Sequence, residues 1–475
     1  MRLLVIGGGI TGLAAAWEAV RTTAGPVPDI VLVESSGDLG GKLRTEVADG
    51  LLIEHGPDSF VSYRPAAAIL AGEVGLGDQV IGTSGSRLVF LRSRGKLRPL
   101  PQGMGMVLPT RLAPFVLTGI LSPLDKARAG ADLVLPRQLR DGQDTSIGAF
   151  LRRRLGGGIV ARFADPMVGG IYGASVDELS LDAVLPSLRQ DEAAHRSLML
   201  ASLAAGRRAR RAAPARGAGS PFQTLRGGVG SLVDALARAL AGAGAELRTG
   251  TTVEALRPTP HGGVVATLGD GTTVEADAVV LAGGVRSSAS LLAAVAPTSA
   301  EALAAIPLAT SNVVTLAYPA GAFPGPVTSH GWLEADRAPI SGVTVSSAKW
   351  AGRAPEGTVL IRAFVPERVG PIAHAGDTDL LAAVRAHVEA VMGLTSAPAL
   401  TRITRWHEVM PKYTVGHLDR VAAVTAGLAH LPAWRVAGSA LRGVGIPDCA
   451  SDGRAQAVLA CGAAPADGPD RRAGR

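Results

Sequence analysis

Met1-Arg2-Leu3-Leu4-Val5-Ile6-Gly7-Gly8-Gly9-Ile10-Thr11-Gly12-Leu13 opens the chain. The first six residues form a short apolar run that predicts a buried strand, which passes directly into glycines and then into an alanine-rich stretch of helical period. Each glycine has a physical task. Gly7 allows a tight exit from the strand, Gly9 lets the backbone approach a pyrophosphate, and Gly12 permits close packing of helix on strand. With Gly8, Ile10 and Thr11 they place the phosphates at a helix N-terminus, where unpaired N–H groups and the helix dipole favour negative charge. In a chain with 61 glycines among 475 residues such a pattern needs context. Ile30–Val33 reads as a second apolar strand, and Glu34 ends it about twenty residues beyond Gly12, where a carboxylate accepts hydrogen bonds from an adenosine ribose.

The length predicts two or three structural units. Apolar residues at 47% and charged residues at 18% describe a globular protein without wholesale disorder. The net charge of +7 suits an anionic partner. Zinc-finger spacing, an RNA-binding signature and an aromatic-studded basic stripe are all missing, so nucleic acid is not expected. Cys449 and Cys461 make no disulfide framework, and with nine scattered histidines they make no metal site. Cytoplasm is the default compartment. Met1–Ile6 does not read as the core of a signal peptide, because it runs straight into the glycine turn. No stretch is long and apolar enough to span a bilayer. The nearest, Leu112–Leu124, is broken by Pro114, Gly119 and Pro123; packing inside the protein is its commoner explanation, and contact with a membrane interface the other.

Further along, Gly40, Gly41, Lys42, Leu43, Arg44 and Thr45, then Gly56, Pro57, Asp58, Ser59 and Phe60, predict a loop that approaches a cofactor twice, with Lys42 and Arg44 bringing cations beside it. Two solvent turns with incidental basic residues explain the same local pattern. From about Gly85 to Gly219 proline-broken apolar segments and a helix at Ser146–Leu155 suggest a mostly helical insertion. It closes on Arg207, Arg208, Arg210, Arg211 and Arg216, which read as a mobile basic loop.

Gly227–Gly230 precede a helix at Leu232–Leu240, followed by strands at Glu246–Thr249 and Thr252–Leu256. A hairpin then forms from Val264–Leu268 and Val274–Ala276 about the Asp270–Gly271 turn. Asp277–Ala282 is another buried strand, so the nucleotide-binding unit is discontinuous. Ser311–Leu316, Val343–Ser346 and Thr358–Phe364 are strand-like and suit a second sheet. A helix follows at Asp377–Met392. Arg435–Ala437 is a strand that leads through Gly443, Val444, Gly445 and Ile446 into a helix at Cys449–Ala460.

The expected fold is therefore α/β: a discontinuous Rossmann-type domain, a substrate domain on a second, mixed sheet, and an inserted helical domain. The nucleotide domain takes residues 1–84 and 220–290, the helical insertion 85–219, the substrate domain 291–400, and a shared substrate and cofactor segment 401–462. Residues 463–475 read as a disordered tail.

These pieces resemble the flavin amine oxidase superfamily, and within it the protoporphyrinogen and coproporphyrinogen oxidases of haem biosynthesis. The resemblance covers nearly the whole chain. It rests on Phe150–Gly156, on Asp165–Gly173 (DPMVGGIYG) continuing through Glu178, Leu179 and Ser180, on Pro411–His417 (PKYTVGH), and on Gly443–Cys449 (GVGIPDC). It implies non-covalent FAD, with Gly7, Gly8, Gly9, Ile10, Thr11 and Gly12 on the pyrophosphate and Glu34 and Ser35 on the adenosine. Lys42, Gly56, Pro57, Asp58 and Ser59 would lie on the isoalloxazine side, Val253 would meet the adenine through its backbone, and Trp406, Val444, Gly445 and Ile446 would complete the site. Gly169, Gly170, Ile171, Tyr172 and Gly173 are the candidate substrate segment, since small residues let a flat macrocycle approach. Arg98 is a candidate for a propionate contact. At Asp58 some eukaryotic relatives carry an arginine, so their propionate contact does not carry over to this chain.

The implied reaction oxidises a porphyrinogen to a porphyrin in three rounds of hydride transfer to flavin, with oxygen as acceptor and hydrogen peroxide released. Holding a bridging carbon against the flavin in a water-poor pocket suffices, so no catalytic acid or base is nominated and no metal is expected. Coproporphyrinogen III, a tetracarboxylate, is the expected substrate, and protoporphyrinogen IX is the alternative. Implied partners are the porphyrinogen, molecular oxygen, transient ferrochelatase and a peripheral membrane contact. A non-catalytic porphyrin-binding flavoprotein and an amine oxidase are the readings from other classes; the aromatic cage of the latter is not evident.

Overall fold

The structure, a computed structural model, describes residues 1–22, 28–85, 88–140, 142–212 and 220–463. The opening strand Arg2–Ile6 is the centre of a five-stranded, wholly parallel sheet in the order Glu246–Arg248, Asp29–Val33, Arg2–Ile6, Ala278–Leu281, Trp434–Val436. Its inner strands are near-continuous apolar runs because a parallel sheet is buried on both faces. Leu3, Leu4, Val5, Val31, Leu32 and Val280 are fully buried. Helices Ile10–Thr22, Gly230–Gly242 and Ile446–Gly462 share this core. The sheet draws strands from three distant stretches of chain, as a discontinuous nucleotide unit requires. Beside it the hairpin Val264–Leu268 and Thr273–Ala276 is extended by Val253–Pro258 into a three-stranded antiparallel sheet.

The second sheet is seven-stranded, in the order Leu400–Pro411, Leu308–Pro319, Thr358–Pro366, Gly342–Val345, Gly331–Glu334, Val89–Ser93, Lys96–Pro99. Only the pairing of Gly331–Glu334 with Val89–Ser93 is parallel, so the sheet is mixed. Helix Asp377–Met392 buries Leu380, Val384 and Val388 in the core beneath it. The last two strands fall within the stretch from residue 85 expected to be helical, and the helices begin only after Pro99. The hairpin escapes notice because its turn is Arg94–Gly95 rather than Asn-Gly. Both residues have positive φ, 55° and 70°, as a tight hairpin turn demands, but arginine carries no such signal.

The helical layer packs around Phe115, Phe150, Phe163 and Leu151. Its predicted helix is present at Ile147–Leu155, capped by the Ser146 hydroxyl, which accepts from the Ala149 amide at 3.2 Å. Leu112–Leu124 divides into the helix Leu112–Leu117 and the start of Pro123–Gly130. Phe115, Ile120 and Leu121 are buried, while Leu117 and Leu124 are 82% and 79% exposed. The run Arg207–Arg211 is not a mobile loop. It continues the helix Leu198–Ala212, consistent with the good helix propensity of alanine and arginine. Arg216 and the expected tail from residue 464 onward lie outside the described residues. Among the described residues no helix is long and apolar enough to cross a membrane, and no cluster of side chains suits a metal.

Candidate functional site

A cavity of 1520 Å³ lies between the two sheets. Four helices begin at its wall: Ile10–Thr22, Gly230–Gly242, Val285–Leu292 and Ile446–Gly462. Each brings the positive end of a helix dipole to the wall, so the wall suits an extended anion such as a pyrophosphate, although the first amide of Gly230–Gly242 is already taken, donating to the Thr45 hydroxyl at 2.8 Å.

At the glycine turn the backbone leaves no room for side chains. A Cβ on Gly12 would stand 1.9 Å from the Gly7 carbonyl oxygen, and one on Gly7 2.7 Å from the Gly283 nitrogen. Gly9 differs, since nothing lies within 4 Å of its missing Cβ and the space opens into the cavity. That is the cradle a phosphate needs. Gly8 and Gly12 stand off the wall and serve the packing behind it. The Gly8 amide donates to Glu34 Oε2 at 2.6 Å, and the Ser36 amide and hydroxyl donate to Glu34 Oε1 at 2.8 Å. Glu34 lines the cavity and Ser35 does not. Val253 is also off the wall, buried at the start of its strand opposite Leu268, and Thr249 lines the cavity instead.

The expected loop 40–59 contains an antiparallel strand pair, Thr45–Ala48 with Leu51–Glu54, and the segments on either side of that pair meet the cavity. Gly56 packs so closely on Lys42 that its Cβ would meet the Lys42 carbonyl oxygen at 2.0 Å. Lys42, Gly56, Pro57 and Ser59 line the cavity. Burial lowers the proton affinity of Lys42, and its Nζ donates to the Val409 carbonyl at 2.8 Å. Val409 is placed by an irregularity in the ladder between Leu308–Pro319 and Leu400–Pro411. Ala309 faces Met410 and Ser311 faces Trp406, so three residues of one strand oppose Thr310 alone. Such bulges re-aim side chains next to sites. Here Trp406 turns onto the wall and its Nε1 donates to the His55 carbonyl at 2.8 Å. Val444, Gly445 and Ile446 line the wall at the last helix, where burial pushes the Cys449 thiol up to about 11 and keeps it neutral.

Of the candidate substrate segment, Gly170 and Ile171 line the cavity, and Ile171 is 47% exposed. Gly169, Tyr172 and Gly173 stand behind them. The segment ends a π-helical stretch, Val160–Gly169, that contains Pro166. Such turns accommodate local strain and recur at functional sites. Asp165 anchors it, accepting from Arg368 Nη1 at 2.8 Å and from the Val176 amide at 3.1 Å. Tyr172 packs on Tyr413 with ring centroids 5.5 Å apart, and burial pushes its hydroxyl up to about 12. Tyr413 in turn stacks on His417 at 3.8 Å.

Sequence reading missed the wall opposite, where Val313 and Phe364 are apolar and Ser311 adds a hydroxyl. Ser311 is paired across strands with Trp406, and Val313 with Phe364. The strands were legible, but which of their two faces met the cavity was not. Arg98 does not line the cavity; its Nε donates to the Ser93 carbonyl at 3.4 Å and its Nη1 stands 2.6 Å from where a Cβ on Gly119 would lie. Asp58 also stands off the wall, its carboxylate turned toward Lys349 and Trp350.

One cavity walled by a glycine turn of the nucleotide-binding kind on one side and a face of the second sheet on the other is the architecture of an oxidoreductase with a bound organic cofactor. The sequence profile of the flavin containing amine oxidoreductases matches residues 10–461, and the chain belongs to that family; its cofactor is a flavin. It is 56% identical to the coproporphyrinogen III oxidase of Propionibacterium freudenreichii subsp. freudenreichii, over 99% of this chain and 93% of that one. It is 34% identical to the coproporphyrinogen III oxidase of Bacillus subtilis (strain 168), over 95% and 96%. Among solved structures, one from Exiguobacterium sp. 255-15, assigned provisionally as a protoporphyrinogen oxidase, superposes with a TM-score of 0.83 at 31% identity, over 96% of this chain and 98% of that one.

Proposed function

We propose that this protein is an FAD-dependent oxidase that converts coproporphyrinogen III to coproporphyrin III with oxygen as acceptor. The observation that carries the reading is a single cavity running from the phosphate cradle at Gly9 to Gly170, Ile171 and Phe364, in a chain so close to curated coproporphyrinogen III oxidases. The N-termini of Ile10–Thr22, Val285–Leu292 and Ile446–Gly462 with the Gly7–Thr11 turn would hold the pyrophosphate, Glu34 the adenosine side, and Lys42, Gly56, Pro57, Ser59, Trp406 and Val444–Ile446 the flavin ring. Bound FAD supplies a hydride acceptor for a bridging carbon of the macrocycle and hands the electrons to oxygen as hydrogen peroxide. Removal of six hydrogens requires three such rounds.

The chain's own residues orient and desolvate. Gly170 leaves open space for a flat ring system, since nothing lies within 4 Å of its missing Cβ. Ile171, Val313 and Phe364 exclude water, and a bridging carbon held there reacts without a dedicated proton acceptor. Porphyrin fluorescence from purified FAD-loaded enzyme in oxygen tests the reading. A higher kcat/KM for coproporphyrinogen III than for protoporphyrinogen IX is the expected result. The reverse preference would move the protein to the protoporphyrin route, and activity on neither would sink the assignment.

Peripheral membrane contact belongs to the same reading. Leu112, Val116, Leu117 and Leu124 are exposed on two short helices, and Arg207, Arg208 and Arg211 are exposed on the neighbouring helix, whose Gly206 packs against Thr110. Apolar side chains beside cations suit an anionic lipid surface. Product would then pass to ferrochelatase at or near that surface.

A further inference from the structure

Arg362 lies in the strand Thr358–Pro366 with its side chain 1% exposed. Its guanidinium reaches three groups. Nη2 donates to the Gly56 carbonyl, Nη1 stands 3.7 Å from Asp58 Oδ2, and Cζ lies 5.2 Å from the centre of the Phe364 ring. Gly56 belongs to one wall of the cavity and Phe364 to the other. Residues 362 and 364 project from the same face of their strand, so the guanidinium sits behind the ring it touches. Asp58 holds the far side. It accepts from Lys349 Nζ at 3.1 Å, Trp350 Nε1 at 3.0 Å and the Ser59 hydroxyl at 2.7 Å. Burial opposes its charge, but Lys349 and Arg362 hold its carboxyl well below the usual carboxylate range.

Arg353, 3.9 Å from Glu54, completes a cluster of three cations and two carboxylates behind the Gly56–Ser59 wall. Buried ion pairs seldom stabilise more than apolar packing of the same volume, so this cluster is poorly explained as a stability device. What it does is join two walls that are far apart in sequence. We propose that Arg362 is a positioning residue: by joining the Gly56 carbonyl to the Phe364 ring it sets the spacing between cofactor and substrate walls, with Asp58 as its anchor rather than a cofactor contact. The proposal rests on reading the cavity as the place where flavin and macrocycle meet. A displacement of an ångström in such a geometry costs on the order of 100-fold in rate.

The test compares Arg362→Lys and the double variant Arg362→Met/Asp58→Asn with the native FAD-loaded enzyme. Thermal stability, FAD dissociation constant, visible circular dichroism of the bound flavin, kcat and KM are measured. Expected are FAD affinity within about threefold of native, an altered flavin dichroism, and kcat lowered roughly 10- to 100-fold with KM little changed. Lysine should not rescue, because one ammonium cannot span both the carbonyl and the ring as a planar fork does. Full rescue by lysine, or native kcat and dichroism in the folded double variant, would overturn the proposal. So would a loss confined to FAD affinity. Should the double variant fail to fold, the lysine variant decides, since it retains the charge. Flavin dichroism needs no substrate, so a wrong porphyrinogen assignment would appear as an inactive native enzyme while the dichroism comparison still stands.

Discussion

Tyr413 and Gly443 are joined through the tyrosine hydroxyl, which accepts the Gly443 amide at 2.7 Å and donates to the Ser439 carbonyl at 2.7 Å. The contact ties the motif Pro411–His417 to the glycine loop that leads into the last helix. It thereby holds Val444, Gly445 and Ile446 at the cavity. Tyr413→Phe leaves two backbone groups unpaired. It should cost about 1–3 kcal/mol and raise the FAD dissociation constant several-fold. Urea unfolding and flavin titration on the same preparation check this. Unchanged FAD affinity would show that the loop holds its shape without the hydroxyl.

His417 is fully buried, donates toward the Leu441 carbonyl through Nε2 at 3.1 Å, and has no hydrogen-bond partner for Nδ1 among the described residues. Burial lowers its pKa below the ordinary histidine value, so the folded state favours the neutral ring. The stability this gives is fully present above about pH 6.5, the unfolded value, and is lost as pH falls below it toward the depressed folded value. The native protein should therefore lose Tm between pH 7 and pH 5 more steeply than His417→Gln. Parallel Tm curves would place the acid sensitivity elsewhere.

Gly12→Ala would force a methyl group to within 1.9 Å of the Gly7 carbonyl oxygen. Helix and strand must separate to admit it, at a cost of about 1–3 kcal/mol, and the phosphate cradle is displaced with them. The variant should purify largely free of flavin. The absorbance ratio of flavin to protein reads this directly, and a native ratio would refute the geometry.

Leu117 and Leu124 are 82% and 79% exposed, so replacing both by serine should change folding stability by no more than about 0.5 kcal/mol each. Co-sedimentation with vesicles containing anionic phosphatidylglycerol should nevertheless fall in the double variant, and fall for the native protein at high salt. Native co-sedimentation that is weak and indifferent to both changes would remove the membrane from the reading.

Much of the site was legible from local pattern. The turn Gly7–Gly12 could be read because a strand, three spaced glycines and a helix are each dictated by nearby residues, and the structure places Gly7, Gly9, Ile10 and Thr11 on the cavity wall. The same holds for Gly56, Gly445 and Ile446, where backbone must approach closely or a helix must begin. The parallel sheet was legible as uninterrupted apolar runs, because burial on both faces removes the alternation.

Tertiary structure alone decided which way individual side chains point. Asp58 sits between two residues that line the cavity, yet its carboxylate turns away, because Lys349 and Trp350 wait on the other side some 290 residues later in the chain. Phe364 and Ser311 face the cavity while Asn312 faces the core, a choice set by register between strands and by the bulge opposite Thr310. The hairpin Val89–Pro99 joins the second sheet through a parallel partner more than 200 residues away. Local propensity and period determine where strands, helices and tight turns form. Long-range pairing determines which face meets the cavity, and in this protein that turns Asp58 toward Lys349, Trp350 and Arg362 and leaves Gly56, Pro57 and Ser59 on the wall.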